Sequence, residues 1–247
     1  VLMGVLSGML IYGDGANMTS TDVALFASSE KIRNELGWKP AWTDINQIIE
    51  TAAQYILDTR RLEKALDGVD VVVHAAARVT TPFSSADPHL FEQVNHWGTA
   101  ELSYILERSA HIRQLIYLSS TSVYGSGGGA AGHNTEPMPG SWYGTSKLRG
   151  ERMLERLSDS LQVNIVRCGN VYGYSRSMRF DAVINRFVFE AHFTGRISIH
   201  GAGDQGRAFI HIDHVADSLA ALIGDDLPSG AYNLGLCDQR RAAKLLQ

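Results

Sequence analysis

The sequence predicts an α/β fold with a doubly wound parallel sheet and a smaller second domain. Strand-like and helix-like segments alternate through residues 71–166, which is typical of βαβ units. Residues 70–77 have the apolar character of a buried strand, and a second apolar run is Leu115-Ile116-Tyr117-Leu118. Between the two runs, residues 91–109 show helical spacing. The apolar positions of that helix are Val94, Leu102, Ile105 and Leu106.

The composition is that of a folded globular protein with one large domain or two small ones. The chain has 247 residues, of which 45% are hydrophobic and 19% are charged. Its net charge of -4 includes no basic block, so we expect no nucleic-acid partner. Residues 1–12 are apolar but too short to span a bilayer, and they lack a basic leader. We therefore expect no membrane association.

The two cysteines, Cys168 and Cys237, have neither the spacing of metal ligands nor that of a redox pair. Reduced cysteines are the norm in the cytoplasm, which is therefore the predicted location. The sequence also shows no clustering of His, Cys and carboxylate residues. For that reason we predict no metal site.

Residues 114–147 contain the pattern that most directly indicates chemistry. A hydroxyl cluster, Ser119-Ser120-Thr121-Ser122, follows the apolar strand. Further on, Tyr143 and Lys147 are four residues apart, which places them on one face of a helix. An ammonium beside a phenol favours the phenolate, and a serine at a strand end can bond the same substrate oxygen. Such a set can move a proton on and off an alcohol or a carbonyl.

Five further segments accompany this pattern in a fixed order. They are residues 70–77, 94–99, 167–173, 200–209 and 232–235. Together with Tyr143 and Lys147, they resemble the extended short-chain dehydrogenase/reductase family of nucleotide-sugar epimerases and dehydratases. The resemblance covers residues 56–235. It implies a Rossmann-like dinucleotide-binding core at residues 56–173, with residues 174–247 and 1–55 forming the substrate-binding domain.

The resemblance also implies an NAD cofactor, with NADP as an alternative, and a nucleotide-sugar substrate. In this family pattern Tyr143 transfers the proton and Lys147 holds the cofactor ribose. Ser120 forms a hydrogen bond with the reacting oxygen. The other implied cofactor-binding residues are Asp58, Ala75, Ala76, Ala77, Asn95 and Ser119. The implied substrate-binding residues are Thr121, Asn170 and Arg207.

Several of these residues also have a purely structural interpretation. Asp58 either meets the adenine ring or caps a following helix. Asn95 is either a buried packing amide or a brace beside the active-site backbone. His74 is interpreted as structural, because a lone histidine is a weak signal of chemistry. Residues 125–132, which include five glycines, form a flexible lid or, as we favour, a solvated loop.

Arginine is the residue expected to recognise a diphosphate, because its guanidinium can form paired hydrogen bonds. Three arginines at 176, 179 and 186 fit this role, although each one singly is better interpreted as part of a solvated helix face. Arg207 is the stronger candidate because it lies in a motif. The family pattern has an Asp after this Arg and a paired Asp later. This chain has Ala208 and His214 there, so its substrate contacts differ in detail.

The reaction implied by the resemblance is epimerisation through transient oxidation of a sugar hydroxyl. The dehydratases of the family carry an acidic pair directly after the catalytic hydroxyl. Here those positions are Thr121 and Ser122, which disfavours 4,6-dehydration. Reduction of a 4-keto sugar remains an alternative, as does a non-catalytic sensor that keeps the fold. The resemblance further implies a homodimer formed through the helices at residues 91–109 and 143–157.

The first 55 residues do not follow the expected order. A dinucleotide-binding fold opens with a strand, a Gly-x-x-Gly-x-x-Gly loop and a helix that receives the pyrophosphate. In the opening stretch of this chain, residues 1–13, the glycines are at positions 4, 8 and 13, so both spacings differ from the expected ones. Residues 28–40 and 44–55 instead resemble the C-terminal part of the family, and residues 231–247 resemble the stretch before it.

A circular permutation that lacks the first βαβ portion explains this order better than a degenerate fingerprint does. Joined pieces of a longer protein are the remaining alternative. For a permuted chain we expect residues 36–55 to pack on the substrate domain and Gln247 to end close to Val1. We also expect weak NAD binding, because nothing before Asp58 rebuilds the strand, glycine loop and helix.

Overall fold

The computed structural model describes residues 4–6, 9–12, 59–79, 88–125, 131–132, 135–174, 182–199 and 206–235. Its centre is a six-stranded sheet with the order β1-β2-β3-β4-β5-β8. The strands of this sheet are β1 Gly4–Leu6, β2 Met9–Tyr12, β3 Val71–His74, β4 Gln114–Ser120, β5 Gln162–Cys168 and β8 Gly230–Leu234. A separate two-stranded sheet pairs β6 Asn170–Tyr172 with β7 Phe209–His211 in parallel.

Helices connect most of these strands. They are α1 Thr59–Ala65, α2 Pro88–Phe91, α3 Gly98–Glu107, α4 Trp142–Glu155, α5 Val183–Thr194 and α6 Ile212–Leu222. A π-helical turn, Glu92–Trp97, joins α2 to α3 without a break in helical backbone angles. A short 3₁₀ turn, Thr121–Tyr124, follows β4 directly.

The parallel sheet predicted from the sequence is confirmed for β3, β4, β5 and β8. All four residues of β3 are buried, as expected for a strand covered on both faces. Consecutive residues of one strand point to opposite faces of the sheet. In β4, Leu115 belongs to the apolar cluster on one face and Ile116 belongs to the cluster on the other face.

The helices that cover the two faces also differ. One cluster contains residues of α1, α3 and α4, and the other contains residues of α6. The first consists of Leu62, Leu66, Val69, Val72, Leu102, Ile105, Leu106, Ile112, Leu115, Tyr117, Leu154, Leu157, Leu161, Val163 and Ile165. The second consists of Val73, Ile116, Val166, Cys168, Ile210, Val215, Ala216 and Leu219. Helices therefore lie on both faces, which is the doubly wound arrangement.

The N-terminal strands form an antiparallel hairpin at the edge of this sheet. β2 runs antiparallel to β3, with Met9 opposite His74 and Tyr12 opposite Val71. A hairpin needs only a short connection, whereas a parallel neighbour needs a crossover of a dozen or more residues. Because β2 is antiparallel to β3, the start of β2 lies beside the carboxyl end of β3. Asp58 and residues 36–55 lie outside the described ranges, as do Val1 and Gln247.

The division into one domain at residues 56–173 and a second at residues 174–247 with 1–55 stays a prediction. Within the second range, α6 covers one face of the central sheet and β8 extends that sheet beside β5. The remaining described elements of that range are α5 and β7, and β7 pairs with β6 outside the central sheet. None of the helices in the described ranges combines the length and apolar character that a membrane span requires.

Candidate active site

The predicted catalytic residues lie where the parallel strands end. Ser120 is the last residue of β4, and it lies opposite Cys168, the last residue of β5. Helix α4 begins after Ser141, whose Oγ accepts a hydrogen bond from the Gly144 N–H at 3.1 Å. This cap places Tyr143 in the first turn of the helix. The carboxyl ends of parallel strands are the usual place for a ligand in an open α/β sheet.

Two glycines allow α4 to approach β4 and the turn that follows it. A Cβ at Gly144 would lie 2.5 Å from the carbonyl oxygen of Ser122, so the first turn of α4 touches the 3₁₀ turn. A Cβ at Gly150 would lie 2.6 Å from the Tyr117 hydroxyl oxygen. Neither site has room for a side chain. The absence of side chains at these two positions therefore determines how close the Tyr143 helix lies to Ser120.

Lys147 is buried between α4 and β4, with only 2% of its surface exposed. Its Nζ donates a hydrogen bond to the Leu118 carbonyl oxygen at 2.6 Å and lies 4.4 Å from the centre of the Tyr117 ring. Burial lowers the pKa of Lys147 to about 8, although Cys168 and Glu151 oppose that shift. An ammonium has three donors, so Lys147 has donors beyond the one that Leu118 uses.

Tyr143 is partly exposed, and its ring meets the edge of Phe91 at a centroid distance of 6.3 Å. Ser120 is also partly exposed. Its Oγ accepts hydrogen bonds from the Ser122 N–H at 3.2 Å and from the Ser122 Oγ at 2.9 Å. Because both bonds use the lone pairs of Ser120, its own hydroxyl proton can be donated to a substrate oxygen.

Asn95 is fully buried in the π-helical turn, and it binds the loop that follows β3. Its Oδ1 accepts from the Arg78 N–H at 2.7 Å, and its Nδ2 donates to the Arg78 carbonyl oxygen at 2.9 Å. The same Nδ2 donates to Ser146 Oγ at 3.0 Å on α4. This geometry favours the interpretation of Asn95 as a brace. It ties the loop that contains Ala75, Ala76 and Ala77 to the helix of Tyr143.

His74 has the surroundings of a structural residue. Thr99 Oγ1 donates a hydrogen bond to the Asn95 carbonyl oxygen at 2.8 Å, so it accepts a hydrogen bond from His74 Nε2 at 2.9 Å. Burial, with a smaller effect from Lys147, lowers the pKa of His74 to about 3. The imidazole is therefore neutral at physiological pH and donates through Nε2.

A network of polar side chains behind the catalytic helix was not found from the sequence. Glu151 is completely buried and accepts hydrogen bonds from Arg167 Nε at 3.1 Å and Arg167 Nη2 at 2.7 Å. It also accepts from the Ser119 hydroxyl, so that predicted cofactor-binding side chain is directed to Glu151. On its other side, Arg167 Nη1 donates to the Tyr124 hydroxyl at 2.9 Å. Tyr124 donates in turn to Asn233 Oδ1 at 2.7 Å, on β8.

Part of this network left a signal in the sequence. Glu151 lies four residues after Lys147, at the same spacing as Lys147 from Tyr143, so one helical face carries all three. Arg167 opens one of the ordered segments, at residues 167–173. Neither feature predicts that Glu151 binds Arg167. The two residues are 16 positions apart in the sequence, and they come into contact only because α4 packs on β5.

The predicted substrate-binding residues lie along the same edge of the sheet. Thr121 is partly exposed in the 3₁₀ turn, and Asn170 and Arg207 are exposed. A Cβ at Gly169 would lie 2.8 Å from the Ala208 carbonyl oxygen, so the segments of Asn170 and Arg207 run side by side. Asp58, Arg176 and Arg179 lie outside the described residues. No cluster of three or more metal-ligating side chains occurs among the residues described.

Comparison with known proteins gives the family. Residues 21–235 match a sequence model of the NAD dependent epimerase/dehydratase family. The chain belongs to this family. The resemblance to extended short-chain dehydrogenases/reductases drawn from the motifs is thereby confirmed, together with the NAD dependence that characterises the family.

Individual relatives of this family include both epimerases and dehydratases. The chain is 29% identical to an uncharacterized UDP-glucose epimerase of Bacillus subtilis, over 76% of this chain and 60% of that protein. It is 28% identical to the human dTDP-D-glucose 4,6-dehydratase, over 68% of this chain and 48% of the relative. The chain therefore spans about half to three fifths of the length of these two relatives.

Solved structures of the family share the fold. A UDP-N-acetylglucosamine 4-epimerase from Methanobrevibacter ruminantium superimposes with a TM-score of 0.67 at 28% identity, covering 77% of this chain and 63% of that one. A Bacillus cereus UDP-glucuronic acid 4-epimerase solved with NAD superimposes with a TM-score of 0.63 at 28% identity, covering 77% of this chain and 64% of that one. DesIV, a Streptomyces venezuelae dTDP-glucose 4,6-dehydratase solved with NAD, superimposes with a TM-score of 0.65 at 26% identity, covering 77% of this chain and 61% of that one.

The described residues fit the nicotinamide and ribose half of NAD. Lys147 offers further ammonium donors for a ribose diol, and Tyr143 lies one helical turn away. The loop at residues 75–77 has only methyl side chains, and Asn95 holds its backbone to α4 through Arg78. Small side chains on a braced loop leave room for a flat ring to approach the backbone.

Proposed function

We propose that this chain carries the catalytic core of a nucleotide-sugar epimerase that acts by transient oxidation of a sugar hydroxyl. The observation that carries the proposal is the packing of α4 against the end of β4 and the turn that follows it. Helix α4 supplies the phenol of Tyr143 and the buried ammonium of Lys147, and β4 supplies the hydroxyl of Ser120. Relatives named as epimerases of nucleotide sugars support the substrate class.

NAD, when bound, supplies the acceptor for the hydride that leaves the sugar carbon. Lys147 would hold the nicotinamide ribose, and the loop at residues 75–77 would lie beside the nicotinamide. Because Lys147 lies one helical turn after Tyr143, its charge would favour the phenolate of Tyr143. NADP remains an alternative to NAD.

The protein groups then handle the proton. Tyr143, as the phenolate, takes the proton of the sugar hydroxyl while that carbon is oxidised, and it returns the proton when the carbonyl is reduced. Ser120 donates a hydrogen bond to the same oxygen, because Ser122 already occupies its lone pairs. That bond holds the oxygen in reach of Tyr143 in both directions of the reaction.

The residues after Ser120 favour epimerisation over dehydration. A dehydratase needs a carboxylic acid and base there, whereas this chain has Thr121 and Ser122. Ser122 instead bonds Ser120 at 2.9 Å, so it orients the hydroxyl and offers no acid. Reduction of a 4-keto sugar needs the same three groups as epimerisation and is the second candidate. On the substrate side, Asn170 and the exposed Arg207 would contact the sugar nucleotide.

A homodimer is part of the proposal. The helical run from α2 to α3 leaves large apolar side chains exposed, and α4 adds Trp142 at 58% exposure. Those on the run are Leu90, Trp97 and Tyr104. Light scattering at micromolar protein tests the dimer, and a strictly monomeric chain would contradict it. The cytoplasmic location stays a prediction.

The proposed function is tested with a panel of UDP- and dTDP-sugars, NAD and purified protein, with products identified by NMR. We expect wild-type protein to interconvert two epimers at an NAD concentration high enough to offset the weak binding predicted above, and Tyr143→Phe to lose about 10²–10⁴-fold in turnover while it stays folded. Formation of a 4-keto-6-deoxy sugar would contradict the epimerase assignment. NAD binding without turnover of any sugar would favour the sensor. A Tyr143→Phe variant that keeps more than about a tenth of the wild-type rate would contradict the role of Tyr143.

A further inference from the structure

The buried polar network behind α4 has no part in the reaction as described above. Its centre is the ion pair of Glu151 with Arg167, and both side chains are almost completely buried, at 0% and 8% exposure. Removing two charges from water is costly, and an apolar pair of the same size is often at least as stable. Stability alone therefore does not explain why charges occupy this place, which lies one helical turn from Lys147.

The ion pair joins α4 and β4, which carry the proposed catalytic set, to the neighbouring strand β5. Glu151 is on α4 with Tyr143 and Lys147. Its carboxylate binds Ser119, the neighbour of Ser120 on β4, and Arg167 on β5. A shift of α4 along the sheet would break both contacts at once. The spacing between the Lys147 ammonium and the Ser120 hydroxyl is thus tied to the geometry of this pair.

A second chain of contacts extends from the pair toward the substrate side. Arg167 Nη1 donates a hydrogen bond to the Tyr124 hydroxyl at 2.9 Å, and the guanidinium carbon lies 5.0 Å from the centre of the Tyr124 ring. Tyr124 is the last residue of the turn that begins at Thr121, and it donates to Asn233. Because Arg167 bonds both Glu151 and Tyr124, the same cation orders α4 and the turn that carries Ser122.

We propose that Glu151 and Arg167 are positioning residues that set the place and charge of Lys147 relative to Ser120. Glu151 lies one helical turn after Lys147 and binds Ser119 on β4, and Arg167 holds the Glu151 carboxylate in two-pronged hydrogen bonds. This inference rests on the proposed function only for the meaning of the kinetics. The contacts and the electrostatic effect belong to the folded chain itself.

The groups that face Lys147 can be named from the elements around it. His74 comes from β3, Tyr117 from β4, Cys168 from β5, and Glu151 from α4 itself. His74 is neutral, and burial raises the pKa of Cys168 to about 12, so that thiol is neutral as well. Burial likewise raises the pKa of Tyr117. Glu151, paired with Arg167, is then the carboxylate on the same helix face as Lys147, and we expect its removal to lower the pKa of the ammonium.

The test uses the whole chain and three variants: Glu151→Gln, Arg167→Met and the double variant. Glu151→Gln leaves the Arg167 charge buried without its partner, so it is the variant most at risk of unfolding. The double variant removes both charges with little change of volume, and we expect it to fold with a melting temperature close to that of wild type. The matched control is Glu63→Gln with Arg108→Met, an exposed ion pair between α1 and the end of α3.

The main measurement is the titration of Lys147, followed by NMR of protein with isotope-labelled lysine and no cofactor. We expect the midpoint in the double variant to fall by about one pH unit from wild type, and the control to leave it unchanged. An unchanged midpoint in the folded double variant would overturn the proposal. This readout needs no turnover, so it holds even if no nucleotide sugar is converted.

Kinetics give the second measurement once a substrate is known. We expect the double variant to lose about 10²-fold in kcat, with a small change in KM and the basic limb of its pH profile moved to lower pH. A merely structural pair would show restored kcat and an unchanged pH profile as soon as the double variant folds. If the proposed function is wrong, the wild-type protein will be inactive. If this inference is wrong, the double variant will have the kcat and the pH profile of wild type.

Discussion

Helices α4 and α5 have similar lengths, but α4 is packed against the central sheet whereas α5 is largely exposed. α4 buries seven of its residues, among them the polar Ser146, Lys147 and Glu151, against β4 and β5. α5 buries none, and it exposes 65% of Val188 and 69% of Phe193. The more polar helix is therefore the buried one. The difference shows that contact with the sheet, and not the apolar character of a helix, decides what is buried.

The contrast has a consequence for function. Polar groups buried in α4 all have hydrogen-bond partners on other elements, such as Leu118 for Lys147 and Arg167 for Glu151. Such partners hold side chains in one geometry, as a site for proton transfer requires. Hydrogen bonds of α5 side chains, such as those of Arg186 and Glu190 with the backbone of Ser198, lie at exposed positions, so we expect changes in α5 to affect the protein much less. The predictions that follow test this contrast.

The largest expected effect is on stability, in the apolar face of α4. Leu154 has 0% exposure, and Leu154→Ala should lower the free energy of unfolding by about 2–5 kcal/mol. The matched change on α5, Phe193→Ala, should alter it by less than about 0.5 kcal/mol. Urea unfolding followed by circular dichroism measures both. Equal losses in the two variants would show that α5 is packed as firmly as α4.

The next effect concerns the approach of α4 to β4. In Gly150→Ala, the new Cβ would lie 2.6 Å from the Tyr117 hydroxyl and 3.2 Å from the Asn95 carbonyl oxygen. The helix must then move away, and we expect a loss of about 1–3 kcal/mol in the free energy of unfolding. Gly132, where a Cβ would meet nothing within 4 Å, provides the control. A Gly150→Ala variant as stable as Gly132→Ala would contradict the close contact.

The smallest effect is the pH dependence that the burial of Lys147 imposes on stability. Its pKa in the folded chain is about 8, below the ordinary 10.5, so the unfolded chain binds more protons between these values. Stability should thus rise with pH there. Relative to Lys147→Met, wild type should gain about 1 kcal/mol between pH 8 and pH 9, measured by urea unfolding. Parallel curves for the two proteins would mean that Lys147 titrates normally.

A second group with the opposite sign begins to titrate within this window. Burial raises the pKa of the Cys168 thiol from 9 to about 12, so the folded chain keeps a proton that the unfolded chain loses around pH 9. Stability falls with pH in that range. The comparison with Lys147→Met cancels the contribution of Cys168 to the extent that the two groups act independently.

The sequence by itself determined the alternation of strands and helices, and the pairing of Tyr143 with Lys147. Both are local patterns, because helical spacing and apolar runs are set by residues close along the chain. The order of the motifs was also sufficient to identify the family. The placement of Ser120 at a strand end followed from its position directly after an apolar run.

The tertiary structure alone decided the contacts between distant segments. Asn95 with Arg78 and Ser146, Glu151 with Arg167, and β8 beside β5 each join residues that no local period relates. The antiparallel direction of β2 is of the same kind, since strand pairing is decided by the sheet that the strand joins. Local patterns determine which element forms, whereas burial against a shared sheet determines which polar groups must meet.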